Sequence, residues 1–343
     1  MADRTNRQWV LASRPHGMVD PSNFEWREAP VPEVGDGQFL VRNLYLSLDP
    51  AMRGWMTDMP SYVPPVEIGE VMRGGCVARV LESRHPDYQP GELLVGAFGW
   101  QDYAISSGEG MMPVNKVPDG VPPTMPVGAL GLTTLTAYFG LKEIGKPQQG
   151  ETVVVSGAAG ATGSVVGQLA KIWGCRVVGI AGGPEKCEWL TSELGFDEAI
   201  DYKGEDVEAR LRETCPKGIH VFFDNVGGPI LEAALANLAM HARVVLCGAI
   251  SIYNAEGLPP GPRNYMNLLV KRSRMEGFLV FDFFPRSGEA LAELVPLFME
   301  RKLRYREDIR EGLESAPAAL VDLFTGGNRG KLLVKIADPD AES

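Results

Sequence analysis

Small residues recur in the segment Gly157-Ala158-Ala159-Gly160-Ala161-Thr162-Gly163, directly after the β-branched run Thr152-Val153-Val154-Val155. Against the pattern G-x-G-x-x-G the match is Ala158-x-Gly160-x-x-Gly163, with alanine in the first glycine position and Gly157 one place earlier. Such residues let a pyrophosphate lie against bare backbone N–H groups at a helix N-terminus, where the macrodipole is positive. They also let a helix pack closely on a strand, and the motif alone leaves both uses open. Gly160, Ala161, Thr162 and Gly163 are the candidates for phosphate contact.

A dinucleotide needs a second contact, at its adenosine end. Cys175–Ala181 reads as the next strand, and the residue about twenty positions past the motif is ordinarily an acid that binds a ribose hydroxyl. Here the window is Gly182-Gly183-Pro184-Glu185-Lys186. The strand ends without an acid, and Lys186 can pair with an adenosine 2′-phosphate, which favours NADP(H) over NAD(H). Glu185, second in a Pro-initiated helix, complements that helix's dipole.

Other polar and small residues collect where later strands end: Asp201-Tyr202-Lys203, Asp224-Asn225-Val226-Gly227-Gly228, and Gly248-Ala249-Ile250-Ser251-Ile252-Tyr253-Asn254. Asn, Ser and Tyr there can hydrogen-bond ribose hydroxyls and a carboxamide, while the glycines admit a flat ligand. Turn chemistry accounts for Gly227-Gly228 but poorly for Tyr202 and Tyr253. A tyrosine can hold an oxyanion or deliver a proton at neutral pH, because the phenol keeps its own proton. Tyr253 is the first candidate. Tyr62, in the loop Pro60-Ser61-Tyr62-Val63-Pro64-Pro65, is the second, since a tyrosine so placed more often packs on a surface.

The elements that must position these residues follow from periodicity. Up to about residue 128 the chain is β-rich and irregular, with strands predicted over Gln38–Leu48, Val71–Glu82 and Glu92–Phe98. A helical apolar segment, Leu130–Leu141, leads into the first strand of an alternating stretch. Further strands are expected at Glu198–Asp201, Ile219–Asp224, Arg243–Gly248 and Met275–Phe283. Helices are expected at Pro184–Leu194, Val207–Thr214, Pro229–Ala239, Asn264–Arg274, Gly288–Glu300 and Ala316–Phe324, with a last strand at Lys331–Ile336. That order is an α/β fold with a doubly wound parallel sheet, in which ligands bind at the carboxyl ends of the strands. The Pro-rich loop Glu256–Pro262 reads as a lid or a partner contact.

With 343 residues the chain suits two domains. A formal net charge of −11 argues against nucleic-acid and anionic-membrane partners, so the expected ligand is a small molecule. No apolar window reaches membrane-spanning length, and Met1–His16 lacks an apolar signal core, so the expected location is cytoplasmic. The five cysteines stand singly, without a metal or disulfide spacing. Of the four histidines, His16 lies in a turn, His85 in a loop, His220 beside a strand and His241 on a predicted helix end, and no metal site is expected.

Asn6-Arg7-Gln8-Trp9, Asp49-Pro50-Ala51-Met52-Arg53, Leu135-Thr136-Ala137-Tyr138-Phe139-Gly140, the glycine turn, Phe223–Gly228, Cys247–Ser251 and Gly327-Asn328-Arg329-Gly330-Lys331 together resemble the zinc-independent medium-chain dehydrogenase/reductases. Within them the chain resembles the prostaglandin reductase and NADPH-dependent curcumin reductase branch. The resemblance implies a GroES-like domain, residues 1–128 and 308–343, around a Rossmann domain, residues 129–307, and a homodimer. It implies reduction of the carbon–carbon double bond of an enone or enal by NADPH. By motif position it gives Gly160–Gly163 to the pyrophosphate and Lys186 and Tyr202 to the adenosine phosphate end. Asn225, Cys247, Gly248, Ala249, Ile250, Ser251, Tyr253, Phe278, Leu279, Val280 and Asn328 fall to the rest of the cofactor. A quinone reductase, or an NADPH-binding protein without turnover, are the alternatives.

Overall fold

The computed structural model describes residues 5–110, 112–257 and 259–339. The described residues up to Gly131, those of Glu307–Asn328 and those from Leu332 on form one compact unit, and Leu132–Arg306 with Arg329–Lys331 form another.

The first unit opens with a hairpin, β1 (Thr5–Leu11) antiparallel to β2 (Phe24–Pro30). Then come β3 (Phe39–Ser47), the short helix α1 (Ala51–Trp55), β4 (Cys76–Ser83), β5 (Leu93–Gly96), β6 (Tyr103–Ser106) and β7 (Asn115–Lys116). β4 starts at Cys76 rather than Val71, because Val71 only bridges to Val10 and the backbone from Met72 to Gly75 makes scattered bonds to Trp9, Ser47, Gly99 and Trp100 rather than a ladder.

The second unit begins with α2 (Leu132–Phe139), which widens into a π-helical turn over Gly140–Gly145. It continues through β8 (Thr152–Ser156), α3 (Ala161–Ile172), β9 (Arg176–Ala181), α4 (Pro184–Ser192), β10 (Glu198–Asp201) and α5 (Val207–Thr214). β11 (Ile219–Asp224), α6 (Gly228–Ala236), β12 (Leu238–Leu246), α7 (Met266–Lys271), β13 (Arg274–Gly277) and α8 (Ser287–Met299) complete it. The strands pair in parallel in the order β10-β9-β8-β11-β12-β13, the doubly wound arrangement, with the order reversing between β8 and β11. Val154, Val178, Ile180, Phe222 and Val244 pack with Leu211 of α5 and Leu231 and Ala234 of α6 in one core. Every residue of β8 is buried.

Further boundaries depart from the sequence reading: the helix expected at Asn264–Arg274 is the shorter α7, and Arg274 opens β13. β12 begins at Leu238, so His241 is a strand residue and not a helix end; it takes φ +59° where the register with β11 shifts. β13 stops at Gly277, and Val280–Arg286 winds into a 3-10 turn where Met275–Phe283 read as one strand.

The chain then returns to the first unit with β14 (Glu307–Glu311), α9 (Ala316–Thr325) and β15 (Lys331–Lys335), the last extending the antiparallel sheet in the order β14-β15-β3-β4-β5-β7, with β6 also on β3. Arg329–Lys331 itself groups with the second unit. Among the described residues no helix is long and apolar enough to cross a membrane.

Candidate functional site

The glycine turn links β8 to α3. Gly157 takes φ +58°, a left-handed conformation that a side chain would strain, and the Ala158 N–H bonds to Ile180 O at 3.0 Å, tying the turn to β9. Gly160 caps α3, and no side chain bonds the helix N-terminus there. A Cβ on Gly163 would collide with the Gly157 carbonyl and come within 2.8 Å of Ala158 Cα. The turn is built of small residues, and the α3 N-terminus has no side-chain cap, which fits a phosphate.

Behind the turn lies a buried carboxylate. Asp224, fully buried, accepts from Ser156 Oγ at 2.7 Å and from the N–H groups of Val226 and Gly227, each at 3.0 Å. Burial pushes its carboxyl up, and the hydrogen bonds from Gly227, Ser156 and Val226 oppose that shift. Asn225 is fixed on both sides: its N–H donates to Ser156 Oγ at 2.8 Å and its Nδ2 to Ser156 O at 2.7 Å. The β8 and β11 ends are thus locked where the strand order reverses.

At the adenosine end, Asp201 Oδ1 accepts from Gly183 N at 2.7 Å and Lys203 N at 3.0 Å, so that carboxylate serves the backbone. The Tyr202 ring lies against Gly182, where a Cβ would come within 2.8 Å of its hydroxyl. Lys186 is half-buried, and its ammonium is pushed below lysine's ordinary value by burial and by the like charges of Lys203 and Arg329, with Glu185 opposing. Arg329 in turn pairs with Glu185 at 2.8 Å. Its neighbour Gly330 bridges Gly160, so the segment Arg329–Lys331 lies beside the glycine turn. Lys186, Lys203 and Arg329 are close enough to feel one another's charge, and such a group of cations suits an anion. Lys203 and Arg329 were not singled out from the sequence, although both lie in quoted segments; their convergence is a property of the fold.

The β12 end completes the row. Cys247 N and Gly248 N bond to Asp224 O at 2.9 and 3.1 Å, and Ile250 N and Ser251 N to Asn225 O and Val226 O at 3.2 and 3.1 Å. A 3-10 turn, Ile250–Ile252, carries Tyr253, whose hydroxyl oxygen accepts from Ala249 N at 3.1 Å. Burial pushes the Cys247 thiol up to about 12, which keeps it a thiol and unreactive. Phe278 and Leu279 follow β13, and Val280 is buried at the start of its 3-10 turn.

Tyr62 and Asn328 belong to the first unit. Tyr62 is 46% exposed, and its hydroxyl oxygen accepts from Trp55 Nε1 at 3.0 Å. Arg73 holds the loop, donating to Pro65 O at 3.0 Å. Desolvation pushes the Tyr62 hydroxyl up, the Trp55 bond opposes this, and the charge of Asp49 adds to it; the phenol is therefore protonated at neutral pH.

Among the described residues no group of three or more His, Cys, Asp or Glu side chains is placed to hold a metal ion. Two of the four histidines serve the backbone: His220 Nδ1 accepts from Thr152 N at 3.1 Å, and His85 Nδ1 from Asp87 N at 3.1 Å.

Residues 7–114 match the family described as the N-terminal domain of oxidoreductase, and residues 161–298 the family described as zinc-binding dehydrogenase. The His, Cys, Asp and Glu side chains of the described residues do not fit the zinc of that description. The chain is similar to the NADPH-dependent curcumin reductase of Escherichia coli, with 48% identity over 98% of each chain. It is similar to the NADP-dependent 2-alkenal reductase of Nicotiana tabacum, with 43% identity over 97% of this chain and 98% of that one. The structure of CurA from Vibrio vulnificus in complex with NADPH superposes with a TM-score of 0.91 at 46% identity, covering 97% of this chain and 100% of that one.

Proposed function

The chain belongs to the zinc-independent medium-chain dehydrogenase/reductases, and on that premise we propose that it reduces the carbon–carbon double bond of α,β-unsaturated ketones and aldehydes with NADPH. The observation that carries the reading is the mutual proximity of Lys186, Lys203 and Arg329, the last in a segment that bridges the glycine turn at Gly160. The names of the relatives, which act on enones and enals, supply the substrate class.

Backbone N–H groups of Gly160, Ala161, Thr162 and Gly163 hold the pyrophosphate. Lys186 and Tyr202, joined by Lys203 and Arg329, hold the adenosine 2′-phosphate. Asn225, Cys247–Tyr253, Phe278–Val280 and Asn328 enclose the remaining ribose and the nicotinamide. NADPH bound there supplies a hydride to the β-carbon of the substrate. The α-carbon then takes one proton, and the developing enolate oxygen needs a donor. Tyr253 is the first choice for that donor and Tyr62 the second. Each accepts one N–H hydrogen bond, from Ala249 and Trp55, and a phenol that accepts a hydrogen bond is a stronger donor through its own O–H. Residues 129–307 serve as the cofactor domain, and residues 1–128 with 308–343 as the substrate domain.

We read the active form as a homodimer. β13 stands at the sheet edge, and near it Leu269 and Val270 of α7 are 69% and 66% exposed, with Tyr265 and Met266 also exposed. The expected compartment is the cytoplasm, in keeping with five free thiols.

The test is NADPH consumption with a simple aryl enone, with product identification by mass and NMR and with NADH and a benzoquinone in parallel. A saturated ketone formed with NADPH supports the proposal. An allylic alcohol overturns the double-bond chemistry, preferential turnover of the quinone favours quinone reduction, and tight NADPH binding without turnover favours a non-catalytic protein.

A further inference from the structure

α2 does not end at Phe139: it widens into the π-helical turn Gly140–Gly145, a winding that proteins keep mostly at functional sites. The last carbonyls of the turn are held by guanidiniums, Ile144 O by Arg274 Nη2 at 2.5 Å and Gly145 O by Arg243 Nε at 2.9 Å. Its first residues grip the segment that follows β13. The Phe278 ring lies so close to Gly140 that a Cβ there would collide with it and come within 2.8 Å of Phe223. Phe283 stacks on Phe139, centroids 4.8 Å apart and planes 12° from parallel. Arg286 Nη2 donates to Glu143 Oε1 at 2.6 Å, and its guanidinium lies 5.5 Å from the Phe139 ring centroid. Lys142 reaches Glu289 at 3.1 Å and Glu293 at 2.7 Å on α8.

We propose that Gly140 and the Arg286–Glu143 pair are positioning residues: the π-helical turn sets where Phe278, Leu279 and Val280 stand, and through them the placement of the nicotinamide end. The inference rests on the assignment of Phe278–Val280 to the cofactor made above. The physical argument is geometric. Phe278 lies flush against a residue without a side chain, and the far end of the same segment is fixed by an ion pair and a ring stack. The segment is therefore held at both ends by one turn. Hydride transfer is sensitive to such placement, since a shift of about 1 Å can cost on the order of 100-fold in rate.

The experiment compares the affinity for NADPH with that for adenosine 2′,5′-bisphosphate, which lacks the nicotinamide, alongside kcat on an enone. Gly140→Ala is expected to weaken NADPH about tenfold and lower kcat on the order of 100-fold while leaving bisphosphate affinity unchanged. Arg286→Gln and Glu143→Gln, at a partly exposed pair that the fold tolerates losing, shift the NADPH-to-bisphosphate ratio in the same direction, and the double variant is no worse than either alone. Equal weakening of both ligands, or Arg286→Gln with both ratio and kcat within about twofold of wild type, overturns the proposal. A wild-type protein that reduces no enone, yet shows the expected ratio shifts, defeats the assigned reaction and leaves the positioning role supported.

Discussion

The indole Nε1–H of Trp55 donates to the hydroxyl oxygen of Tyr62 at 3.0 Å, seven residues along the chain. This bond fixes a tyrosine that is otherwise nearly half exposed in a loop rich in proline. If Tyr62 supports the developing oxyanion, Trp55→Phe and Tyr62→Phe both lower kcat, by roughly tenfold, the weight of one hydrogen bond to a charged group. Steady-state kinetics at saturating NADPH check this; wild-type kcat in Tyr62→Phe assigns that loop to surface packing.

Tyr253 makes the stronger prediction. Its hydroxyl oxygen accepts from Ala249 N within one turn of the chain, so the ring is anchored to the same β12 end that meets Asp224 and Asn225. Tyr253→Phe keeps the ring and removes the donor, and kcat is expected to fall on the order of 100-fold, with the KM for NADPH little changed. Unchanged turnover on the best enone refutes the donor role.

Asp224→Asn tests the lock behind the glycine turn. The carboxylate is surrounded by the Ser156 hydroxyl and the N–H groups of Val226 and Gly227, all donors. An amide would set its own N–H against one of them. The expected cost is about 1–3 kcal/mol of stability, read as a lower denaturant midpoint, with weaker NADPH binding because Asn225 loses its footing. Ser156→Ala removes both the donor to Asp224 and the acceptor of the Asn225 N–H, and is expected to cost a similar amount.

The alternation from β8 through β11 is legible because β8, β9 and β11 are short, mostly apolar runs bounded by small or polar residues, with helical stretches between the strands. Glu198–Asp201, Val207–Thr214 and Ile219–Asp224 fall on the observed elements. Met275–Phe283 misled because an aromatic run reads as strand. Phe278 and Phe283 instead pack around Gly140 and Phe139, and Pro285 sits within the turn. The hairpin of β1 and β2 was not predicted. Its polar residues are satisfied from far along the chain, Arg7 by Asp102 and the Trp9 indole by Leu313 O, and local periodicity carries no trace of such partners. In the candidate site, Lys186 is singled out by its distance from the glycine turn, whereas Arg329 is 143 residues further on and comes to its side through the ion pair with Glu185 and the Gly330 bridge to Gly160.

The cation group gives a pH prediction whose two halves move in opposite directions. Lys186 is held below lysine's ordinary value by burial first, then by Lys203 and Arg329. A bound 2′-phosphate supplies the missing negative charge, so Lys186 is more readily protonated in the complex than in the free protein. As pH rises through the depressed value, binding must bring a proton with it, and NADPH affinity falls. For the free protein the sign reverses. Between the depressed and the ordinary value the folded chain binds fewer protons than the unfolded chain at this site, so its contribution makes folding stability rise with pH there. Titrating NADPH by its nicotinamide fluorescence, and measuring denaturant midpoints, from about pH 7 to about pH 10 reads both. Lys186→Gln is expected to flatten both dependences and to weaken NADPH about tenfold while sparing NADH. If NADPH and NADH affinities change alike with pH, or alike in Lys186→Gln, the lysine does not read the 2′-phosphate.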